Sequence, residues 1–404
     1  MENKLPSSRD PKTKIVTGHP AVPPGIRLAL FYATTFFVIG IYMPFWPAWL
    51  SSNGLGPTEI GILLSITTWT RVVMGPLVAQ VADRLGRRKP FMIGLGFMTL
   101  VTFFLFTYAG SFFEFAAISF LLGCSFAPMI PLAETTTLSV AAHRGLDYGR
   151  IRLWGSLTFI AASWGGGLWL AGRTENAILP LLLVGSVSIL FACLVLPDVQ
   201  FSRIQTTRAP IRRLLRSPVF VLFLAAAGLI QGSHAAFYGF STIHWRTIGL
   251  SDQIIGLLWA IGVGAEVLLF AVSRAILRHI DVTQLLLIGA AAAIARWISM
   301  AYFEDFLILI LIQTLHALTF GATHLACLHF IQKAAPLAST TTAQALYSAL
   351  GLGVASALMM ALAGRIYDHH QSSVFLVMAV AAFAGGTGAL ILQKKWHGGK
   401  LWPS

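Results

Sequence analysis

Five ionisable residues lie deep inside long apolar runs of the sequence, namely Arg71, Glu134, Arg152, Glu266 and Arg296. If these runs are membrane spans, each charge costs about 2.5–3.5 kcal/mol on insertion scales, so each is expected to have a function. Guanidinium groups bind carboxylates through paired hydrogen bonds, and a carboxylate in a dry cavity can take up and release a proton. These residue types therefore indicate the binding of a polar solute, of protons, or of both.

Glu134 and Arg152 are placed symmetrically about a turn, since each lies nine residues from His143. In a symmetric helical hairpin both stand about 10–13 Å from the turn at 1.5 Å per residue. They can therefore form an ion pair that joins two helices, or hold a polar ligand together. Trp154 follows Arg152 on its helix and could stack on a ring of that ligand. Tyr32, in the first apolar run, is expected to line the cavity that holds the ligand.

Arg296 and His316 show a similar symmetry, because each lies ten residues from Phe306. The same geometry places both roughly 15 Å from the turn, near the middle of a bilayer. Glu266 is the only acid near the middle of an apolar run in the second half of the chain. It could bind and release a proton while Arg71 or Arg296, which stay charged, supply the counter-charge. The alternative is a permanent salt bridge.

Histidines are numerous, and His234 shares a helical stripe with Gln231, Tyr238 and Thr242 that is expected to face the cavity. The four histidines inside apolar runs have no convincing common face, so no metal site is predicted. The sequence also lacks a nucleotide-binding loop, a nucleophile elbow and a dinucleotide fingerprint. We therefore expect no cofactor and no enzymatic activity.

The elements that position these residues are transmembrane helices. Of the 404 residues 56% are hydrophobic and only 11% are charged, where a soluble domain has about a quarter. Twelve runs reach the length of about 20 residues that a span needs. The predicted organisation is an all-α membrane protein with a tail at 1–25, a six-helix bundle at 26–197, a central loop at 198–216, a second six-helix bundle at 217–392 and a tail at 393–404.

Basic residues are distributed unevenly across the predicted membrane. With both termini on one side, that side holds 23 of the 28 lysines and arginines. The positive-inside rule then places both termini in the cytoplasm. The expected location of the protein is a cell (inner) membrane. This topology accounts for most of the net charge of +13, so no nucleic acid partner is expected. We expect a monomer, with Trp46, Trp49 and Trp245 in the interfacial belt.

The two halves contain a weak internal repeat. The segment 54–61, Gly-Leu-Gly-Pro-Thr-Glu-Ile-Gly, opens the second span, and 249–256, Gly-Leu-Ser-Asp-Gln-Ile-Ile-Gly, opens the eighth. The offset of 195 residues also maps Arg71 onto Glu266. Repeats of this kind place the substrate between the halves, near the bilayer midplane.

The loop after the second span, residues 79–88, reads Ala-Gln-Val-Ala-Asp-Arg-Leu-Gly-Arg-Arg. It resembles the cytoplasmic signature of the major facilitator superfamily, with Ala79 where glycine is usual. In that superfamily the loop locks the inner gate by charge pairing. The resemblance therefore implies gating roles for Asp83, Arg84, Arg87 and Arg88.

Two further segments narrow the resemblance. Residues 148–156, Tyr-Gly-Arg-Ile-Arg-Leu-Trp-Gly-Ser, and the segment from Gln313 to His324 resemble the lactose permease-type proton symporters, and more closely the related phenylpropionate permease group. In the lactose permease branch, an acid and an arginine placed like Glu134 and Arg152 hold the substrate, and an arginine and a histidine placed like Arg296 and His316 serve proton coupling. The acid one turn after that histidine is replaced by Thr319, which leaves Glu266 as the candidate coupling acid.

The resemblance implies a secondary transporter that imports a small organic solute, such as an aromatic acid, together with protons. Sugar or nucleoside symport stays open, because Glu134 would suit hydroxyl groups. Proton-driven efflux is the other transport alternative, although 165–167, Gly-Gly-Gly, lacks the proline of the usual antiporter pattern. A transporter-like membrane sensor would favour a sizeable soluble domain, which the sequence does not contain.

Overall fold

The computed structural model describes residues 14–16, 22–200 and 211–402, and the rest of the predicted tails and central loop lies outside these ranges. Ten helical stretches are long and apolar enough to cross a membrane. The last of them, Thr340–Lys395, contains two helices separated by a turn at Gln371–Ser373, and Tyr148–Leu170 adds a helix of comparable length. The described residues thus form twelve passes, as the sequence predicted.

The N-terminal bundle comprises α1 (Pro24–Ser52), α2 (Pro57–Leu85), α3 (Lys89–Leu105), α4 (Phe112–Phe126), α5 (Met129–Arg144), α6 (Tyr148–Leu170) and α7 (Ile178–Val195). A short strand β1 (Lys14–Val16) pairs antiparallel with β2 (Asp198–Gln200) beyond α7. The fourth pass is longer than predicted and consists of α4 and α5. It is interrupted near Pro128, which lacks the backbone N–H that a continuous helix needs.

The C-terminal bundle comprises α8 (Ile211–Arg216), α9 (Pro218–Gly232), α10 (Ala235–Thr247), α11 (Asp252–Ala271), α12 (Ser273–His279), α13 (Val282–Tyr302), α14 (Phe306–Thr314), α15 (Thr323–Ala334), α16 (Thr340–Leu346), α17 (Ala355–His370) and α18 (Val374–Lys395). The seventh pass is broken at Ser233 and His234. The tenth and eleventh contain π-helical segments at Ala317–Ala322 and Tyr347–Val354, a geometry that is frequent at functional sites.

The internal repeat has a backbone counterpart. Gly54 and Gly249, which are 195 residues apart, have φ angles of +85° and +87°. Both lie in the turn before a helix of their bundle, in a left-handed conformation that favours glycine. The repeated glycines therefore serve the same turn in both halves.

We call the face that carries Pro24 and Lys395 the terminal side, and the opposite face the distal side. On the distal side the bundles are in backbone contact through α2 and α17 and through α6 and α11. A Cβ atom on Gly61 would lie 2.8 Å from the Cα atom of Gly364, and one on Gly256 would lie 2.2 Å from the carbonyl oxygen of Ser163. Small residues allow this approach, so the halves are closed against each other on the distal side.

Side chains reinforce the distal contact. Arg246 of α10 donates to Glu175 of the N-terminal bundle at 2.9 Å and to Asp252 of its own bundle at 2.8 Å. The hydroxyl of Thr58 donates to Asp368 at 2.6 Å, again across the two halves. These contacts were not predictable from residue spacing alone.

The tryptophans expected at the membrane interface lie elsewhere. Trp46, Trp49 and Trp245 are at most 3% exposed, and the indoles of Trp46 and Trp49 stack at a centroid distance of 4.5 Å. They fill the protein core at the distal ends of their helices, so the predicted interfacial position is wrong for all three.

Candidate functional site

A buried polar network lies at the centre of the C-terminal bundle around Arg296. This side chain is fully buried and donates to Gln313 Oε1 at 2.7 Å, to Thr319 Oγ1 at 3.2 Å and to His316 Nδ1 at 3.0 Å. Its guanidinium carbon also lies 4.4 Å from the ring centroid of Phe237. Neutral acceptors and a π face therefore hold this charge, and the described carboxylates do not bond it directly.

Arg296 fixes the protonation of the histidine next to it. A guanidinium group can only donate, so Nδ1 of His316 must accept, and the proton of the neutral ring lies on Nε2. That Nε2 atom lies 3.3 Å from Oε2 of Glu266. His316 therefore carries its N–H donor on the side of the Glu266 carboxylate, because Arg296 occupies the other ring nitrogen.

His234 belongs to the same network, which the sequence stripe did not predict. At the break between α9 and α10 its Nδ1 atom bonds the carbonyl oxygen of Gln231 at 3.1 Å, so its Nε2 atom accepts from the Thr319 hydroxyl at 2.9 Å. Tyr238 stacks on the His234 ring at a centroid distance of 5.8 Å. Thr319 therefore links His234 to Arg296.

Arg152 of α6 has a different environment. Its guanidinium carbon lies 4.2 Å from the ring centroid of Phe36 and 5.4 Å from that of Tyr32. The Tyr32 hydroxyl is buried close to Thr137 and Tyr148. Glu134 lies within electrostatic range of Arg152, but the described part of the chain shows no ion pair between them. Arg152 is thus oriented by aromatic rings and keeps its donors for another acceptor.

Trp154 does not join this group. It lies 200° around α6 from Arg152 at 100° per residue and is 55% exposed. Leu157 and Leu168, which continue its stripe, are also exposed, so the stripe faces away from the bundle. This position does not support the expectation that Trp154 stacks on a ligand held by Arg152.

Arg71 is exposed midway along α2, within electrostatic range of Tyr42 and Tyr238. Although Arg71 and Glu266 are equivalent by the internal repeat, no ion pair joins them in the described ranges. The permanent Arg71–Glu266 salt bridge that the sequence left open is therefore absent from this conformation.

The predicted gating residues lie at the terminal end of α2. Asp83 belongs to this helix, but its side chain lies outside the described part of the structure. Arg84 is exposed, Arg88 is buried, and Arg87 forms an ion pair with Asp198 at 2.6 Å. This pair connects the loop after α2 to strand β2, within the N-terminal half.

Two residues of the network were missed by the sequence analysis. Gln313 accepts from Arg296, and Tyr347 lies 3.2 Å from Nδ1 of His324 through its hydroxyl. Gln313 lies three residues before His316, a spacing that places both on one helix face and could have revealed it. Tyr347 gave no such signal, because it lies on another helix and its approach depends on packing.

Known proteins are similar to this chain in sequence and in fold. The description "MFS_1 like family" belongs to the family model that matches residues 25–377. The chain is 35% identical over 364 residues to a probable 3-phenylpropionic acid transporter of Escherichia coli (strain K12), covering 88% of this chain and 94% of that protein. It is 27% identical to a maltose permease of Geobacillus stearothermophilus, with 91% and 94% covered.

Two solved structures have the same fold. A mutant form of the nucleoside transporter NupG superposes with a TM-score of 0.82 at 16% identity, covering 92% of this chain and all of that one. A bacterial homologue of the human lysosomal transporter Spinster, in an inward-facing and unoccupied conformation, gives a TM-score of 0.71 at 14% identity, with 92% and 96% covered.

Proposed function

This chain belongs to the MFS_1 like family of the major facilitator superfamily, and on that premise we propose that it is a proton-coupled symporter that imports a small organic acid, such as an aromatic acid, by alternating access. One observation carries the proton part. Glu266 is a carboxylate at mid-span whose Oε2 atom lies 3.3 Å from Nε2 of His316, a histidine whose tautomer Arg296 fixes. Such a group can exchange a proton without a change in the network behind it.

The substrate part of the proposal places the carboxylate of the solute on Arg152. A planar guanidinium group matches a carboxylate through two parallel hydrogen bonds, and the described residues leave its donors without a carboxylate partner. Phe36 and Tyr32 hold it in place and supply aromatic surface for the rest of the solute. Glu134, Tyr238 and His234 complete the proposed lining, the last through its contact with Tyr238.

We further propose that both termini lie in the cytoplasm of a cell (inner) membrane, because basic residues concentrate on their side. The distal side then faces outward, and its closure corresponds to an inward-facing state. Asp83, Arg84, Arg87 and Arg88 would serve the inner gate, and Arg246 with Glu175 the outer one.

A sugar or nucleoside substrate is the second candidate, favoured by Glu134, which lies close enough to act electrostatically on Arg152 without pairing with it. A carboxylate in that position could accept hydrogen bonds from hydroxyl groups.

The test is a thermal-shift screen of the purified protein with aromatic acids, sugars and nucleosides, followed by uptake into proteoliposomes. We expect stabilisation by an aromatic carboxylate, and accumulation only with an inwardly directed proton gradient imposed. Accumulation without any dependence on that gradient would contradict proton coupling, whereas stabilisation by sugars alone would favour the second candidate.

A further inference from the structure

Arg152 and Glu266 lie within electrostatic range of each other across the two halves, although they belong to different predicted sites. The antiparallel helices α6 and α11 are in backbone contact where Gly167 meets Asp252 and where Ser163 meets Gly256. A step of four residues along α6 thus corresponds to a step of four residues in the opposite direction along α11. Eleven residues further towards the terminal side, this register places Arg152 opposite Val267, next to Glu266.

The electrostatic interaction between Arg152 and Glu266 is consistent with this helix register. Arg152 is within electrostatic range of Glu266, yet the described residues contain no ion pair between them. The other groups that face Glu266 are His316 and His324 from the tenth pass and Tyr238 from α10, with Arg296 behind His316. Arg152 is the charged group that reaches Glu266 from the N-terminal bundle.

From this geometry we propose that a carboxylate bound at Arg152 drives the protonation of Glu266, so that a monoanion and one proton cross the membrane together as an electrically neutral pair. The inference rests on the proposed function and names its coupling mechanism. A bare Arg152 favours the charged form of Glu266 through its positive field. A bound carboxylate cancels that field and adds a negative charge nearby, and both changes favour the protonated form.

The network on the other side of Glu266 directs the proton to this carboxylate. A second proton on His316 would have to occupy Nδ1, where Arg296 already donates at 3.0 Å. His316 therefore stays neutral and acts as a positioning residue. Electrostatic linkage between Arg152 and Glu266 needs no direct contact, so it can operate while the solute lies between the two halves.

The experiment measures proton uptake by the purified full-length protein in weakly buffered detergent solution with a pH indicator. The probes are 3-phenylpropionate and, as a neutral analogue of the same shape, 3-phenylpropionamide. We expect the anion to bind with the uptake of up to about one proton per bound molecule across a pH series, and the amide to cause none. Glu266→Gln should bind the anion without proton uptake, and Arg150→Gln, on the same helix as Arg152, should behave like the parent protein.

Anion binding without proton uptake, or equal uptake with the anion and the amide, would overturn the inference while leaving the substrate proposal in place. Uptake that persists in Glu266→Gln would also overturn it. If Glu266→Gln does not fold, the comparison of anion with amide on the parent protein decides. If neither 3-phenylpropionate nor any other aromatic carboxylate binds, the substrate proposal itself fails, and the inference fails with it.

Discussion

Nε2 of His316 lies 3.3 Å from Oε2 of Glu266, and the other nitrogen of the same ring accepts a hydrogen bond from Arg296. A residue pair predicted from equal spacing about Phe306 is thereby connected to the one mid-span acid of the C-terminal half. The relationship makes Glu266 the group whose protonation can change during transport, because Arg296 and the neutral His316 keep their roles in either state.

Glu266→Gln should abolish uphill uptake driven by an imposed pH gradient and retain solute counterflow, since exchange requires no net release of a proton. Both activities can be measured in the same proteoliposome preparation with labelled solute. Should the variant still accumulate solute against its gradient, Glu266 is not the coupling acid. Loss of both activities would instead point to a role of Glu266 in solute binding or folding.

Arg152→Lys should weaken solute binding by about tenfold or more and leave the protein inserted and folded, because an ammonium group cannot reproduce the planar two-pronged contact. Binding is measured by calorimetry or by thermal shift. Arg150→Lys is the matched control, since Arg150 is two residues away, is exposed and is near Asp147 at 3.8 Å. Equal affinity of the Arg152 variant and its control would place the solute elsewhere.

Gly256→Ala should shift the protein towards the state that is open on the distal side. The added Cβ atom would lie 2.2 Å from the Ser163 carbonyl oxygen, so the two halves must separate there. Gly264→Ala on the same helix is the control, because nothing lies within 4 Å of its Cβ position. Distances between spin labels on the distal ends of the two bundles measure the shift, and identical distributions in both variants would argue against a glycine-dependent closure.

Glu175→Gln should shift the same distances in the same direction by weakening the bond to Arg246 across the halves. The pair is partly exposed, so an effect of less than about 1 kcal/mol is expected. Asp252→Asn removes a carboxylate from the same arginine but within one bundle, and it should have the smaller effect. A larger shift in the Asp252 variant would mean that the ion pair across the halves does not hold the distal side closed.

Asp83→Asn should shift the balance between inward- and outward-open states by removing the acid from the basic segment at the terminal end of α2. Labels on the terminal ends of the two bundles report this change. If parent and variant give the same distance distributions, the loop serves topology through its positive charges and does not gate.

The sequence by itself determined the elements and their equivalence. Continuous apolar runs predicted the twelve passes, because a bilayer leaves a chain little choice other than helices of about 20 residues. The repeated segment identified Gly54 and Gly249 as equivalent turns, and both have a left-handed backbone conformation. Spacing about Phe306 also predicted equal depth for Arg296 and His316, since two helices joined by a short turn must run side by side, and the structure adds their contact at 3.0 Å.

Only the tertiary structure decided which helix faces meet. Lipid and protein core are both apolar, so hydropathy does not separate the face of α6 that carries Trp154 from the one that carries Arg152, and it does not bury Trp46 or Trp245. The break at His234 turned that side chain towards Thr319. The opposition of Arg152 and Glu266 follows from glycine contacts between helices that are about a hundred residues apart, and this register is fixed by packing alone.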